Sequence, residues 1–177
     1  MIKLFCMRHG QTNYNLLSLC NDDPTRDVHL TDEGRQQAER AAKRLAECEL
    51  EKIYTSELPR TWQTGEIINR VHHCQMQAHP LLNDIRSGFE SRAVTEYQQA
   101  IAQDPLHLRV NGGESILDHK LRILAFLNLL QSQPEQCVLL IGHEEGLRVL
   151  DAYNRRLDDN AMLKLHFSNC QILEFNL

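Results

Sequence analysis

Short apolar runs, separated by longer stretches with helical spacing, organise this chain. The runs at 2–7, 52–55 and 137–141 contain few polar residues, which is typical of strands buried on both faces of a parallel sheet. A weaker run at 76–78 predicts one more strand. From 170 to 177 apolar and polar residues alternate, which indicates an edge or antiparallel strand.

Helical segments lie between these runs. Thr31 is a predicted N-cap, and alanines recur at helical spacing up to Ala46. A second helix is predicted to begin near Pro59, and Ser115 begins a third, with Asp118 completing a capping box. The buried side of the second helix is predicted to comprise Trp62, Ile67, Ile68 and Val71. The third helix is expected to be largely buried through Leu117, Leu121, Leu124, Phe126, Leu127 and Leu130.

Strands that alternate with helices, including a helix predicted at 144–153, indicate the α/β class. We expect three layers, with a mostly parallel central sheet flanked by helices. Residues 1–177 have the length of a single domain. The weaker pattern at about 85–113 predicts a small cap segment, with a helix near 96–103.

Charge and cysteine content narrow the class of protein. With 24 acidic and 19 basic residues the formal net charge is −5, which argues against nucleic acid or an anionic membrane as a partner. No apolar run approaches the roughly 20 residues needed to cross a bilayer, and the start of the chain has no signal-peptide pattern. Because the cysteines form no C-x-x-C pair, we expect reduced thiols and a cytoplasmic protein; they are Cys6, Cys20, Cys48, Cys74, Cys137 and Cys170.

Polar functional groups follow three of the predicted strands. Arg8 and His9 end the first run, Arg60 follows the second, and His143 follows the run at 137–141. Because parallel strands end at one edge of a sheet, we expect these side chains to converge. Arginine forks and helix N-termini bind phosphoryl groups, and histidine can act as a nucleophile or proton carrier. The pattern therefore predicts a pocket for a phosphoryl group.

The motifs around these residues resemble those of the histidine phosphatase superfamily, in its phosphoglycerate mutase-like branch. The first motif runs from Leu4 through Arg8-His9-Gly10 to Asn15. The others follow in the family's order, at 30–38, 54–64, 82–90, 112–115, 140–143 and 169–170. The resemblance implies a phosphoglycerate mutase-like fold and phosphoryl-transfer chemistry.

The resemblance also implies roles for individual residues. His9 would be the nucleophile that forms a phosphohistidine, and Asp84 would be the proton donor. The phosphoryl group would be held by Arg8, Asn15, Arg60 and His143. No metal or other cofactor is expected, because the arginines supply the electrostatic stabilisation. A metal site at His72, His73, Cys74 and His79 is disfavoured, because these residues lack a coherent ligand spacing.

Two departures from the family pattern bear on the chemistry. Asp84 stands where this branch more often has glutamate, so Glu90 and Glu144 are alternative proton donors. Glu144 and Glu145 replace the small residues common after His143. Their charge would weaken phosphate binding, tune specificity, or bind a cationic part of a substrate. The nearby Arg148, Arg155 and Arg156 are predicted to form a solvated helix end.

We expect a metal-independent phosphatase that acts on a small phosphorylated metabolite. Two alternatives remain: a phosphoglycerate mutase-type phosphotransferase, and a non-catalytic phosphate-binding regulatory module. A mutase must keep water off its phosphohistidine, which requires a lid. Only about 29 residues separate Asp84 from Glu114, which favours an open pocket and hydrolysis. No pattern in the sequence specifies an oligomeric state.

Overall fold

The computed structural model describes residues 1–177, and a single five-stranded sheet lies at its centre. The strands are β1 Lys3–Arg8, β2 Lys52–Thr55, β3 Gln75–Ala78, β4 Cys137–Gly142 and β5 Ile172–Asn176. Their order across the sheet is β3-β2-β4-β1-β5. All neighbours are parallel except β5, which pairs antiparallel with β1 at the sheet edge. The mostly parallel sheet and the antiparallel last strand confirm the predicted fold class.

Seven helices connect or follow these strands. They are α1 Asn13–Leu17, α2 Asp32–Leu45, α3 Pro59–His72, α4 Val94–Ala100, α5 Ile116–Leu130, α6 Glu144–Arg155 and α7 Asp159–Leu163. The predicted caps are present: Thr31 accepts the Gly34 N–H at α2, and Ser115 and Asp118 form a capping box at α5. The short α1 and α7 carry too little apolar periodicity to have been predicted. No helix is long and apolar enough to cross a membrane.

Apolar side chains on both faces of the sheet produce three layers. Along β1, Leu4 and Cys6 join a cluster with α5 and α6, whereas Phe5 and Met7 join a cluster with α2 and α3. This alternation follows the two-residue period of a strand, and both faces are buried because helices cover each of them. The pattern explains why the runs predicted as strands contain so few polar residues.

Three side chains predicted to be buried are exposed. Trp62 is 37% exposed and Val71 48% exposed on α3, while Leu121 is 67% exposed on α5. Each helix covers the sheet with only one stripe, which on α3 includes the predicted Ile67 and Ile68. Because most of α5 is apolar, its composition alone did not identify which stripe faces solvent.

The segment predicted as a cap packs against the loop that follows α1. Phe89 and Tyr97 belong to a small separate cluster with Ile85 and Ile101. The N–H of Cys20 donates to the Arg92 carbonyl, which links the two segments through the backbone. A helix is present here, although α4 begins and ends earlier than predicted. Its designation as a cap within one domain remains a prediction.

Candidate active site

The side chains predicted to bind a phosphoryl group come together at the carboxyl edge of the sheet. Arg8 ends β1 and His9 follows it, Arg60 lies in the first turn of α3, and His143 precedes α6. All four line a single cleft of about 490 Å³, and Asp84 lines it too. Residues that are up to 135 positions apart in the chain therefore form one surface. The convergence follows from the parallel order of β1, β2 and β4.

His9 is 3% exposed and is held in one tautomer. Its Nδ1 lies 2.7 Å from the Gly10 carbonyl, which can only accept, so Nδ1 carries the proton. The Arg60 Nε–H points at Nε2 from 3.2 Å, so Nε2 presents a lone pair. Burial lowers the pKa of His9 well below the ordinary value of 6.5, and the adjacent Arg60 and His143 lower it further. The imidazole is therefore neutral, and its unprotonated Nε2 accepts a hydrogen bond from the arginine.

The loop that carries His9 depends on a close backbone approach. A Cβ on Gly10 would lie 2.5 Å from the Gly34 carbonyl oxygen. The Gly10 N–H also donates to the Thr64 hydroxyl at 3.1 Å. The glycine thus brings the His9 loop against the first turn of α2, where no larger side chain fits.

Arg60 is fixed by contacts on all of its guanidinium nitrogens. Nη1 donates to the Asn21 side chain, and Nη2 donates to the Asn21 carbonyl at 3.0 Å and to Asp84 Oδ2 at 2.9 Å. Sequence reasoning missed Asn21, because its role depends on a loop folding back 39 positions along the chain. Arg60 is thereby oriented before any ligand arrives.

Arg8 is paired on one side and free on another. Its Nη1 lies 2.8 Å from Glu144 Oε2 and donates to the Phe167 carbonyl at 2.6 Å. Its Nε is buried without a partner in the protein. A buried donor without a partner is costly, so this N–H is well suited to meet a bound anion.

His143 faces the cleft from the end of β4 and is 2% exposed. Its Nε2 lies 2.9 Å from Ser56 Oγ, and its Nδ1 has no hydrogen bond but lies 3.4 Å from Asp84 Oδ2. Burial and the nearby Arg60 lower its pKa well below the usual value. The sequence motif contained Ser56, but its contact with His143 was not predicted.

Asp84 lies between the side chains of Arg60 and His143, and Arg122 binds its backbone. Its Oδ2 contacts Arg60, and its backbone carbonyl accepts from Arg122 Nη2 at 3.1 Å. Arg122 also binds the Asn83 carbonyl at 2.8 Å and pairs with the buried Glu114 at 2.8 Å. This Arg122–Glu114 pair fixes the loop that carries Asp84, and sequence reasoning did not predict it.

The two alternative proton donors are engaged elsewhere. Glu90 accepts hydrogen bonds from the Asn21 amide and from the N–H groups of Asp22 and Asp23, so it shapes that loop. Burial acts to raise the pKa of Glu144, but the ion pairs with Arg8 and Arg148 outweigh it and lower the pKa. Both carboxylates are therefore held by contacts outside the space between His9, Arg60 and Asp84.

The Asn15 side-chain amide can offer only its Nδ2 group to a ligand. Its Oδ1 accepts from the Thr12 N–H at 3.0 Å and from Asn169 Nδ2 at 3.3 Å. Only its Nδ2 donors remain for a group in the cleft, which Asn15 and Asn169 both line. The structure contains no group of three or more His, Cys, Asp or Glu side chains placed to bind a metal ion.

Comparison with known proteins agrees with this geometry. The family profile of the histidine phosphatase superfamily (branch 1) matches residues 4–177. The chain belongs to this superfamily. The resemblance inferred from the motifs is thereby confirmed, and the histidine phosphatase fold accounts for the order of strands and the shared edge.

Named relatives and solved structures extend the comparison. The chain is 28% identical over 181 residues to the probable phosphoglycerate mutase GpmB of Erwinia tasmaniensis, covering 97% of this chain and 83% of that protein. Bacillus stearothermophilus YhfR has a similar structure, with a TM-score of 0.82 and 25% identity, covering 96% of this chain and 88% of that one. The alpha-ribazole phosphatase of Shigella flexneri shares the fold at a TM-score of 0.87 and 23% identity, covering 98% and 89%.

Proposed function

We propose that this histidine phosphatase hydrolyses small phosphomonoesters without a metal, through a phosphohistidine on His9. The observation that carries the proposal is the state of the His9 imidazole. Its Nδ1 proton is committed to the Gly10 carbonyl, and its Nε2 lone pair faces the Arg60 guanidinium that would hold a phosphoryl oxygen. A neutral, oriented nitrogen beside a fixed cation is what nucleophilic attack on phosphorus requires.

In the first step the His9 Nε2 lone pair forms a bond to phosphorus, and the bond from phosphorus to the ester oxygen breaks. Arg8 and Arg60 hold the equatorial oxygens, where negative charge accumulates. His143 and the Asn15 amide add hydrogen bonds to the same group. A phosphoryl dianion would satisfy the Arg8 Nε, which is otherwise buried without a partner.

Asp84 would transfer the proton in both steps. Asp84 would donate a proton to the leaving alkoxide as the phosphorus–oxygen bond breaks. Water then attacks phosphorus, its proton passes to Asp84, and the nitrogen–phosphorus bond breaks. Free phosphate is released and His9 returns to its starting state.

Hydrolysis is favoured over phosphoryl transfer to a second hydroxyl group. The segment between Asp84 and Glu114 contains only one regular helix, the seven-residue α4. Such a segment is short for a lid that would exclude water from the intermediate. The curated relatives carry a mutase name, so the mutase remains the second candidate function.

The test measures turnover of p-nitrophenyl phosphate in the presence of EDTA, together with the products formed from 3-phosphoglycerate and catalytic 2,3-bisphosphoglycerate. We expect p-nitrophenol release that the chelator does not change, and free phosphate as the product. No turnover would favour the regulatory module. Efficient formation of 2-phosphoglycerate with little free phosphate would establish the mutase instead.

The proposed partner is a small phosphorylated metabolite, with neither nucleic acid nor membrane involved. The net charge of −5 supports this choice, since the only concentration of positive charge needed is the local one at Arg8 and Arg60. The proposed compartment is the cytoplasm, because the six cysteines follow no disulfide-framework spacing.

A further inference from the structure

More carboxylates than cations line the cleft, so one carboxylate there has no cation partner within the cleft. The two cations are Arg8 and Arg60, and the three carboxylates are Asp84, Glu144 and Glu145. Arg60 pairs with Asp84 at 2.9 Å, and Arg8 pairs with Glu144 at 2.8 Å. Glu145 is left over, so the cleft carries excess negative charge next to a pocket for an anion.

Glu145 is the second residue of α6, and its side chain is 31% exposed. The nearest cation is Arg148, whose Nη1 lies 3.8 Å from Glu145 Oε1 and whose Nη2 binds Glu144 at 3.1 Å. Arg148 was predicted to lie at a solvated helix end, but its side chain is only 18% exposed and is shared between the two glutamates. It does not line the cleft, so it only partly balances Glu145.

The negative charge of Glu145 acts on side chains that line the same cleft from other elements. Burial raises the pKa of Tyr97 on α4, and Glu145 adds to that shift. The pKa of the Cys20 thiol is likewise raised, mainly by burial, with contributions from Asp84 and Glu145. Partial burial and the nearby Asp84 raise the pKa of Glu145 itself to about 7, against the opposing effect of Arg148. These shifts agree with the count of charged side chains in the cleft, where Glu145 has no cation partner.

We infer that Glu145 selects phosphomonoesters whose alcohol portion carries no second anionic group. The inference rests on the proposed function, which assigns the phosphoryl group to Arg8 and Arg60. Once a phosphoryl dianion occupies them, no cation lining the cleft remains for a carboxylate or a second phosphate, and Glu145 repels both. Tyr14 and Thr95, whose side chains carry hydroxyl groups, line the same cleft, and such a lining suits a neutral alcohol. The favoured class is the monophosphate of a polyol or an amino alcohol.

Glycerol 3-phosphate and 3-phosphoglycerate form a matched pair for the test, because they differ only in a terminal hydroxymethyl or carboxylate group. At about pH 8, where Glu145 is ionised, wild-type kcat/KM is expected to favour glycerol 3-phosphate by about tenfold or more. Glu145→Gln is expected to reduce that preference to roughly threefold or less. Glu145→Lys is expected to reverse the preference.

Glu47→Gln is the control, because it removes the same charge from an exposed residue after α2 that does not line the cleft, and it should leave the preference unchanged. Equal kcat/KM on the two esters in the wild type would overturn the inference, as would a preference that survives both Glu145 variants.

Failure to hydrolyse p-nitrophenyl phosphate would instead refute the hydrolase function. The two esters would then be compared by calorimetric Kd on the wild type and Glu145→Gln. A lower Kd for glycerol 3-phosphate than for 3-phosphoglycerate in the wild type, with a smaller difference in Glu145→Gln, supports the inference. Equal Kd values for the two esters in the wild type contradict it.

Discussion

Different hydrogen bonds orient the two buried imidazoles of the cleft, those of His9 and His143. His9 is held through Nδ1 by a backbone carbonyl, which fixes Nε2 as the atom with the lone pair. His143 is held through Nε2 by Ser56 Oγ, and its Nδ1 lies nearest to Asp84. A carboxylate beside Nδ1 favours the tautomer with the proton on that atom, so Ser56 donates to Nε2. One histidine then presents an acceptor and the other a donor.

The lowered pKa values of these histidines predict the acid side of the pH profile. A lowered pKa means that the proton has already dissociated at lower pH, so His9 and His143 are neutral well below the ordinary value of 6.5. After correction for ionisation of the substrate, kcat/KM for p-nitrophenyl phosphate should not fall between about pH 7.5 and about pH 6. A fall with an apparent pKa near 6.5 would mean that His9 titrates as an ordinary surface histidine.

Ser56→Ala tests the assigned tautomer of His143. Without the hydroxyl group, the His143 proton can move to Nε2, away from Asp84 and the cleft. We expect kcat/KM to fall about tenfold, the order of one lost hydrogen bond to a charged group, with the far-ultraviolet circular dichroism unchanged. Ser132→Ala, at an exposed position, is the matched control. Unchanged kcat/KM in Ser56→Ala would show that the tautomer does not depend on this contact.

At the scale of elements, the loop before the cap segment carries Asp84, the proposed proton donor. Arg122 on α5 binds the carbonyls of Asn83 and Asp84, and Glu114 holds Arg122 in turn. Asp84 is one methylene shorter than the glutamate expected from the family pattern. The anchored loop sets the carboxylate against Arg60 and His143 despite that shorter side chain.

Asp84→Asn should separate proton transfer from binding. An amide cannot protonate a leaving alkoxide, so turnover of alkyl phosphates should fall by about a hundredfold or more. The loss should be smaller with p-nitrophenyl phosphate, because p-nitrophenolate leaves with little need for a proton. Steady-state kinetics with both substrates gives the comparison. Equal losses would assign Asp84 a structural role.

At the scale of the whole molecule, the sequence was most informative where a local pattern has only one spatial outcome. Buried runs that end in Arg8, His9 or His143 predicted convergence, because strands in a parallel sheet share an edge. The same reasoning did not reach Asn21 or Ser56, whose roles depend on loops from distant parts of the chain meeting in space. Exposed apolar residues such as those on α3 and α5 were misassigned for a related reason. Helical spacing defines stripes, but only tertiary packing decides which stripe is buried.

The central claim is a phosphoryl group carried on His9, and trapping it is the most direct test. Wild-type protein is mixed with a phosphomonoester radiolabelled in its phosphoryl group and quenched in denaturant. It should retain label that is labile to acid and stable to base. His9→Ala should retain none and should lose turnover while keeping its fold and its affinity for phosphate. His29→Ala, an exposed histidine outside the cleft, should behave as the wild type. Retained label, or substantial turnover, in folded His9→Ala would contradict the mechanism.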